Sequence, residues 1–143
     1  IKIHLTVGKF IYQRIGQLIE RFARKHGMDV HDYAIHHNHV HMSLTPGSQK
    51  GYVRFIRALT SAVAMFVGGV SRWVKKEDFK RFFDRRPFSR IAFTPPEEAT
   101  IDDYIQINKL EAGGFSRKEA RAFYYREQRE RSDRLKEERR RRA

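Results

Sequence analysis

The sequence predicts an α+β fold in which an antiparallel sheet carries its helices on one face, followed by a further helix and a basic helical tail. Three observations lead to this prediction: a strictly alternating stretch at the start of the chain, two stretches with helical periodicity, and a hairpin pattern between them. Their order is strand, helix, strand, strand, helix, and a fourth strand is expected after the second helix.

The start of the chain predicts a strand and then an amphipathic helix. In "IKIHLTVG", residues 1–8, apolar and polar side chains alternate, as in a strand with one buried face. After Gly8 the apolar residues recur at the spacing of one helical face until His26, and Gly27 follows in the position of a C-cap.

The middle of the chain predicts a hairpin, a second helix and a fourth strand. Residues 29–35 and 39–45 read as two strands joined by a polar turn at residues 36–38. A second amphipathic helix is expected over residues 52–67, and a strand over residues 87–93. This order is that of the ferredoxin-like βαββαβ unit, whose sheet leaves one face open to a ligand.

Two capping signals predict the remaining helices. Thr100 with Asp103 three residues later marks the start of a helix, after two prolines that cannot continue a sheet. Ser116 with Glu119 forms a second capping box, which opens an Arg-rich helix that runs toward the end of the chain.

Composition limits the organisation and the partners of the protein. A chain of 143 residues suits one domain, predicted over residues 1–114, and a basic helical tail over residues 115–143. The absence of cysteine excludes disulfides and thiolate ligands. A net charge of +13 favours a polyanionic partner, nucleic acid before membrane. Because the sequence has no transmembrane stretch and no signal-like start, we expect a cytoplasmic protein without a membrane partner.

Four of the seven histidines lie close together around the predicted hairpin turn. If the apolar residues of the second hairpin strand pack under the helices, His39 and His41 share the open face. Two neutral imidazoles on one strand face can bind one divalent metal ion. This pattern alone leaves two alternatives, a metal or catalytic site and a solvent-exposed polar face. His36 and His37 are interpreted as turn residues.

A second pair of polar residues lies on the predicted third helix. Tyr104 and Asn108 are four residues apart and therefore share one helical face. The phenol is a candidate nucleophile and the amide a candidate oxygen ligand, which favours the functional interpretation of the histidine pair.

Both motifs resemble those of a known family. "HNHVHMSL" resembles the HUH motif, and "YIQINKLEAGG" resembles the tyrosine helix of the single-tyrosine HUH transposases of the IS200-like family, especially the REP-associated tyrosine transposases. This resemblance implies that His39, His41 and Asn108 bind a divalent metal, Mg²⁺ or Mn²⁺, and that Tyr104 is the nucleophile.

The chain departs from the family pattern at three positions near these motifs. His37 and Lys109 stand where the family commonly has proline, and Glu111 stands where arginine is usual. None of the three changes removes a group to which the resemblance assigns a role in the reaction.

The resemblance also implies a reaction. The protein is expected to cleave and rejoin single-stranded DNA, near hairpins, through a 5′-phosphotyrosine intermediate, as a monomer or a homodimer. The tail holds 12 basic and 6 acidic residues over residues 117–143, which favours phosphate contacts, with base stacking by its tyrosines. The residues expected to bind DNA are Arg117, Lys118, Arg121, Tyr124, Tyr125, Arg126 and Arg129.

Two other functions remain open from the sequence. A replication-initiator nuclease also places its tyrosine after the histidine pair, although such enzymes usually have lysine where Asn108 stands here. A nucleic-acid-binding module could keep the same fold without catalysis.

Overall fold

The computed structural model describes residues 9–36, 38–69, 83 and 89–142. Four helices and two strands lie in these residues, which confirms the predicted α+β class. The predicted first strand, residues 1–8, falls outside the described residues, as do residues 70–82 and 84–88. The elements are α1 (Lys9–His26), β1 (Met28–Ile35), β2 (Val40–Pro46), α2 (Gln49–Val67), α3 (Pro95–Ala112) and α4 (Arg117–Arg142).

Helices α1 and α2 pack against each other and against one face of the hairpin, as their periodicity predicts. Gly27 has φ +68°, a left-handed conformation that ends α1 and turns the chain into β1. The Ser48 side chain accepts a hydrogen bond from the Gly51 N–H and caps α2. Ile19 and Phe55 are fully buried at the centre of this core.

Strands β1 and β2 form an antiparallel hairpin, as predicted. Tyr33 pairs with Met42, and both pack toward the core of α1 and α2. The neighbouring pair, Ala34 with His41, therefore faces the opposite side of the hairpin. This arrangement confirms the predicted separation of the apolar and histidine faces of β2.

Helix α3 covers the face of the hairpin that carries His41. It contacts both strands, and Ile105 and Ile107 are buried on it. Asp32 of β1 accepts hydrogen bonds from Gln106 and Lys109, at 2.6 Å each. The hairpin thus lies between two helical layers, and a strand irregularity next to Asp32 turns its carboxylate toward α3.

The beginning of α3 differs from the prediction. The helix begins at Pro95 rather than after Thr100, because proline fits the first turn of a helix, where its missing N–H costs no hydrogen bond. The Thr100 hydroxyl donates to the Pro96 carbonyl inside the helix. Glu97 accepts the Phe93 N–H at 2.8 Å, which removes that donor from any sheet.

The predicted fourth strand lies partly outside the described residues, and residues 89–93 are not a strand. The predicted capping box at Ser116 and Glu119 is confirmed, since the Ser116 N–H donates to the Glu119 carboxylate at 2.9 Å. Helix α4 packs on α3 near its start, where Ala120 is fully buried. In the part of the chain that the structure describes, no helix is both long and apolar enough to cross a membrane.

Candidate metal and tyrosine site

A pocket of about 450 Å³ lies where the tip of the hairpin meets α3 and the start of α4. It brings together residues that are far apart in the sequence, because α3 crosses the histidine face of the hairpin. The lining residues are His36, His39 and His41 from the hairpin, Tyr104, Asn108 and Glu111 from α3, and Phe115 and Arg117 from the junction with α4.

Three histidines form a cluster at one wall of the pocket. The possible ligand nitrogens of His36, His39 and His41 all lie within 4.8 Å of one another. The Nε2 atoms of His39 and His41 are 2.9 Å apart, and the ring of His36 stacks on that of His39 with 4.5 Å between centroids. A tight turn causes this arrangement, because the His36 N–H bonds to the His39 carbonyl.

The surroundings of His39 suit a metal ligand. Its Nδ1 donates to the Asn38 side-chain oxygen at 2.5 Å, which orients the ring and turns Nε2 toward His41. Metal-binding histidines usually donate their second ring nitrogen to an oxygen in this way.

The chemistry of His41 agrees with the same interpretation. Burial, followed by the nearby His39 and His36, lowers the pKa of His41 to about 4. The ring is therefore neutral at neutral pH, and neutral imidazole is the form that binds a metal.

Tyr104 and Asn108 face the histidines from α3. The Tyr104 ring meets His41 edge-on at 5.0 Å between centroids and remains 40% exposed. Asn108 is 2% exposed, and its amide nitrogen donates to the Tyr104 carbonyl at 2.6 Å. The amide oxygen of Asn108 is then the atom that can accept or coordinate. The structure thus brings all four residues of the predicted site into one pocket.

Arg117 and Glu111 complete the opposite side of the pocket. The Arg117 guanidinium lies 5.6 Å from the centre of the Tyr104 ring, and its Nη1 is 3.1 Å from a Glu111 carboxylate oxygen. From the sequence, Arg117 is expected only as a DNA contact of the tail, and Glu111 is only a departure from the family pattern. Their position depends on the angle between α3 and α4, for which the sequence carries no signal.

The other residues expected to bind DNA fall on different sides of α4. Lys118, Arg121, Tyr125 and Arg129 are exposed and share one helical face. Tyr124 faces α3 instead, and its hydroxyl donates to Asp103 at 2.7 Å. Arg126 stays exposed with its guanidinium 5.7 Å from the Phe123 ring centre.

Comparison with known proteins supplies the family. The family model described as "Transposase IS200 like" matches residues 3–108, a span that includes both histidines of the pair, Tyr104 and Asn108. No match is found among the curated proteins or among the solved structures. Since the matched span covers well over half of the sequence, the chain belongs to the IS200-like transposase family.

Proposed function

We propose that this transposase is an HUH endonuclease that cleaves and rejoins single-stranded DNA next to hairpins, with Tyr104 as its nucleophile. The observation that carries the proposal is the meeting of Tyr104 and Asn108 with His39 and His41 in one pocket. The resemblance of both motifs to those of REP-associated tyrosine transposases favours this branch of the family.

The donor set of the pocket fits a divalent metal ion. His39, His41 and Asn108 offer two imidazole nitrogens and one amide oxygen, and the Nδ1 bond of His39 leaves its Nε2 for coordination. In this proposal the three residues hold Mg²⁺ or Mn²⁺. When bound, such an ion polarises the scissile phosphate and offsets its developing negative charge.

Tyr104 supplies the attacking oxygen. Its phenol loses a proton, the phenolate oxygen bonds to the phosphorus, and the bond from phosphorus to the 3′-oxygen breaks. The 3′-oxygen leaves and takes up a proton, while the 5′-phosphate remains on Tyr104. Attack by a 3′-OH reverses these steps and rejoins the strand, because the tyrosyl ester conserves the bond.

Two features of the pocket support this role of Tyr104. Asn108 lies one turn after it on the same helix and is fixed by its bond to the Tyr104 carbonyl. The amide therefore keeps a constant position relative to the backbone of Tyr104. The Arg117 guanidinium lies beside the Tyr104 ring and is paired with Glu111 through Nη1, and in this proposal its remaining N–H groups donate to a DNA phosphate.

The tail is proposed to bind the DNA backbone. Because α4 starts at the pocket and carries its exposed basic face away from it, a strand that reaches Tyr104 can continue along that face. We propose a functional division into a nuclease domain, residues 1–114, and a DNA-binding tail, residues 115–143.

The experiment that tests the proposal uses single-stranded hairpin DNA labelled at the 5′ or the 3′ end, with Mn²⁺. Wild-type protein should form a covalent adduct with the 5′ end of the downstream fragment, and Tyr104→Phe should form none. The substitution removes one oxygen from a side chain that is 40% exposed, so the fold and DNA binding should remain. Tyr12→Phe, which changes an exposed tyrosine of α1 to which no role in DNA binding is assigned, is the matched control and should cleave as the wild type does.

Each of the other outcomes would indicate a different activity. An adduct formed by Tyr104→Phe would show that another tyrosine attacks the DNA. Cleavage by the wild type without an adduct would indicate a hydrolytic nuclease. Binding without cleavage under all metal conditions would favour the inactive nucleic-acid-binding module.

A further inference from the structure

His36 lies at the end of β1 and has no role in the reaction proposed above. Its ring stacks on that of His39, and it meets the His41 ring edge-on with 5.7 Å between the centroids of His36 and His41. Its Nε2 atom is buried and, among the residues that the structure describes, has no hydrogen-bond partner. A buried polar atom without a partner typically costs about 1–3 kcal/mol, so a partner beyond the residues that the structure describes is expected.

The position of this nitrogen points to the nature of the partner. His36 lines the same pocket as His39 and His41, and the possible ligand atoms of the three lie within 4.8 Å of one another. Metal–nitrogen bonds of about 2.0–2.1 Å allow two ligands of one ion to lie up to about 4.2 Å apart. Side-chain rotations that reduce these separations from at most 4.8 Å to about 4.2 Å would bring all three nitrogens into one coordination shell.

We infer that His36 is a further metal ligand, so that three imidazoles and the Asn108 amide oxygen surround the ion. This inference rests on the proposed metal site, but not on DNA cleavage. In six-coordinate geometry these four ligands leave two positions for phosphate oxygens of the substrate.

The third imidazole changes which metals the site prefers. Mg²⁺ favours oxygen ligands and keeps its water shell, whereas Mn²⁺, Co²⁺ and Zn²⁺ accept nitrogen ligands readily. A site with three imidazoles should therefore bind Mn²⁺ and Co²⁺ much more tightly than Mg²⁺. Without His36, two imidazoles and one amide would discriminate less.

The test compares binding of Co²⁺, Mn²⁺ and Mg²⁺ to the full chain by calorimetry, together with the visible absorption of bound Co²⁺, which depends on its ligands. His36→Phe keeps the ring stacked on His39 but removes both nitrogens. Its Co²⁺ dissociation constant should rise at least about tenfold, as expected when a site loses a ligand-shell group, and the Co²⁺ spectrum should change. His36→Gln is a second variant in case phenylalanine disturbs the fold.

The control is His31→Phe, which changes an exposed histidine of β1 that does not line the pocket and whose Nε2 bonds to the Thr45 hydroxyl. It should bind Co²⁺ as the wild type does. If both His36 variants also keep wild-type affinity while His41→Ala loses it, the inference about His36 is wrong and the proposed metal site stands. If His41→Ala keeps wild-type affinity too, or if the wild type binds no metal, both are wrong.

Discussion

Helices α3 and α4 follow each other directly in the chain, yet different forces hold them. Neither helix has its apolar residues on one side only. Helix α3 contacts the hairpin on one side and α4 on another, so its apolar residues lie on more than one side. Helix α4 instead carries charged residues on nearly every side. Helix α3 buries Ile105, Ile107 and Asn108, while the residue of α4 that the structure finds buried is Ala120.

This difference suggests a division of work between the two helices. A nucleophile and a ligand must be held to within a fraction of an ångström, which requires a helix fixed on several sides. Phosphate contacts tolerate movement, because they act over several ångströms and through counterion release. If α3 provides position and α4 provides affinity, substitutions in the two helices should affect different properties of the protein.

The largest expected effect comes from the contact that fixes α3 on the hairpin. Asp32 accepts bonds from Gln106, Lys109 and the Tyr33 N–H, and its side chain is 25% exposed. Asp32→Ala should lower the free energy of unfolding by about 2 kcal/mol, because three donors lose a charged acceptor that is only partly screened by water. Cleavage should slow more than metal binding weakens, since the histidines stay on the hairpin.

Chemical denaturation, a metal titration and the hairpin cleavage assay on the same variant measure these three effects. Asp29→Ala, which changes a side chain that is 79% exposed on the same strand, is the matched control and should alter stability by less than about 0.5 kcal/mol. Equal effects of the two substitutions would show that the Asp32 contacts do not fix α3.

The same contrast explains which parts of the molecule the sequence could predict. Helices α1 and α2 and the strands of the hairpin each bury one side. An element buried on one side has apolar residues at a regular spacing, and this spacing can be recognised in the sequence. The four residues of the proposed site follow from two local spacings, His39 with His41 and Tyr104 with Asn108. Their meeting required the packing of α3 on the hairpin, which the resemblance implied and the residues alone left open.

Other features depend on contacts that no local pattern records. His36 joins the cluster because the turn folds its ring onto His39, and Arg117 reaches the pocket because of the angle between α3 and α4. The predicted start of α3 is wrong because two consecutive prolines can either end a strand or form the first turn of a helix, and the sequence does not distinguish the two cases.

A smaller effect is expected from the basic face of α4. Replacing Lys118, Arg121 and Arg129 together by Gln should weaken binding of single-stranded DNA about tenfold at low salt, because three phosphate contacts are lost. The slope of log K against log salt should become less steep by about 2, from roughly 0.7 for each contact. The rate of cleavage at saturating DNA should stay the same.

The control variant changes the same residues but keeps their charge: Lys118→Arg, Arg121→Lys and Arg129→Lys. It should retain the wild-type salt slope, since counterion release depends on charge. A wild-type slope in the glutamine variant would mean that this face does not contact DNA, and a slower reaction at saturation would mean that α4 also positions the substrate.

The smallest effect concerns the bond that ties α4 to α3. Tyr124→Phe removes the hydroxyl that donates to Asp103, which should cost about 1 kcal/mol. Tyr125→Phe, at the neighbouring exposed position, should cost less than this.

The pH dependence identifies the Tyr124 bond independently. Burial, followed by the hydrogen bond to Asp103, raises the pKa of Tyr124 from its ordinary value of 10.0 to about 12. The folded state therefore holds this proton more tightly than the unfolded state does. The stabilisation is fully present below pH 10 and is lost as the pH rises from about 10 to 12. Between pH 10 and 12, the free energy of unfolding should fall less steeply with rising pH for Tyr124→Phe than for the wild type. The same dependence on pH in both proteins would show that the proton of Tyr124 is not coupled to folding.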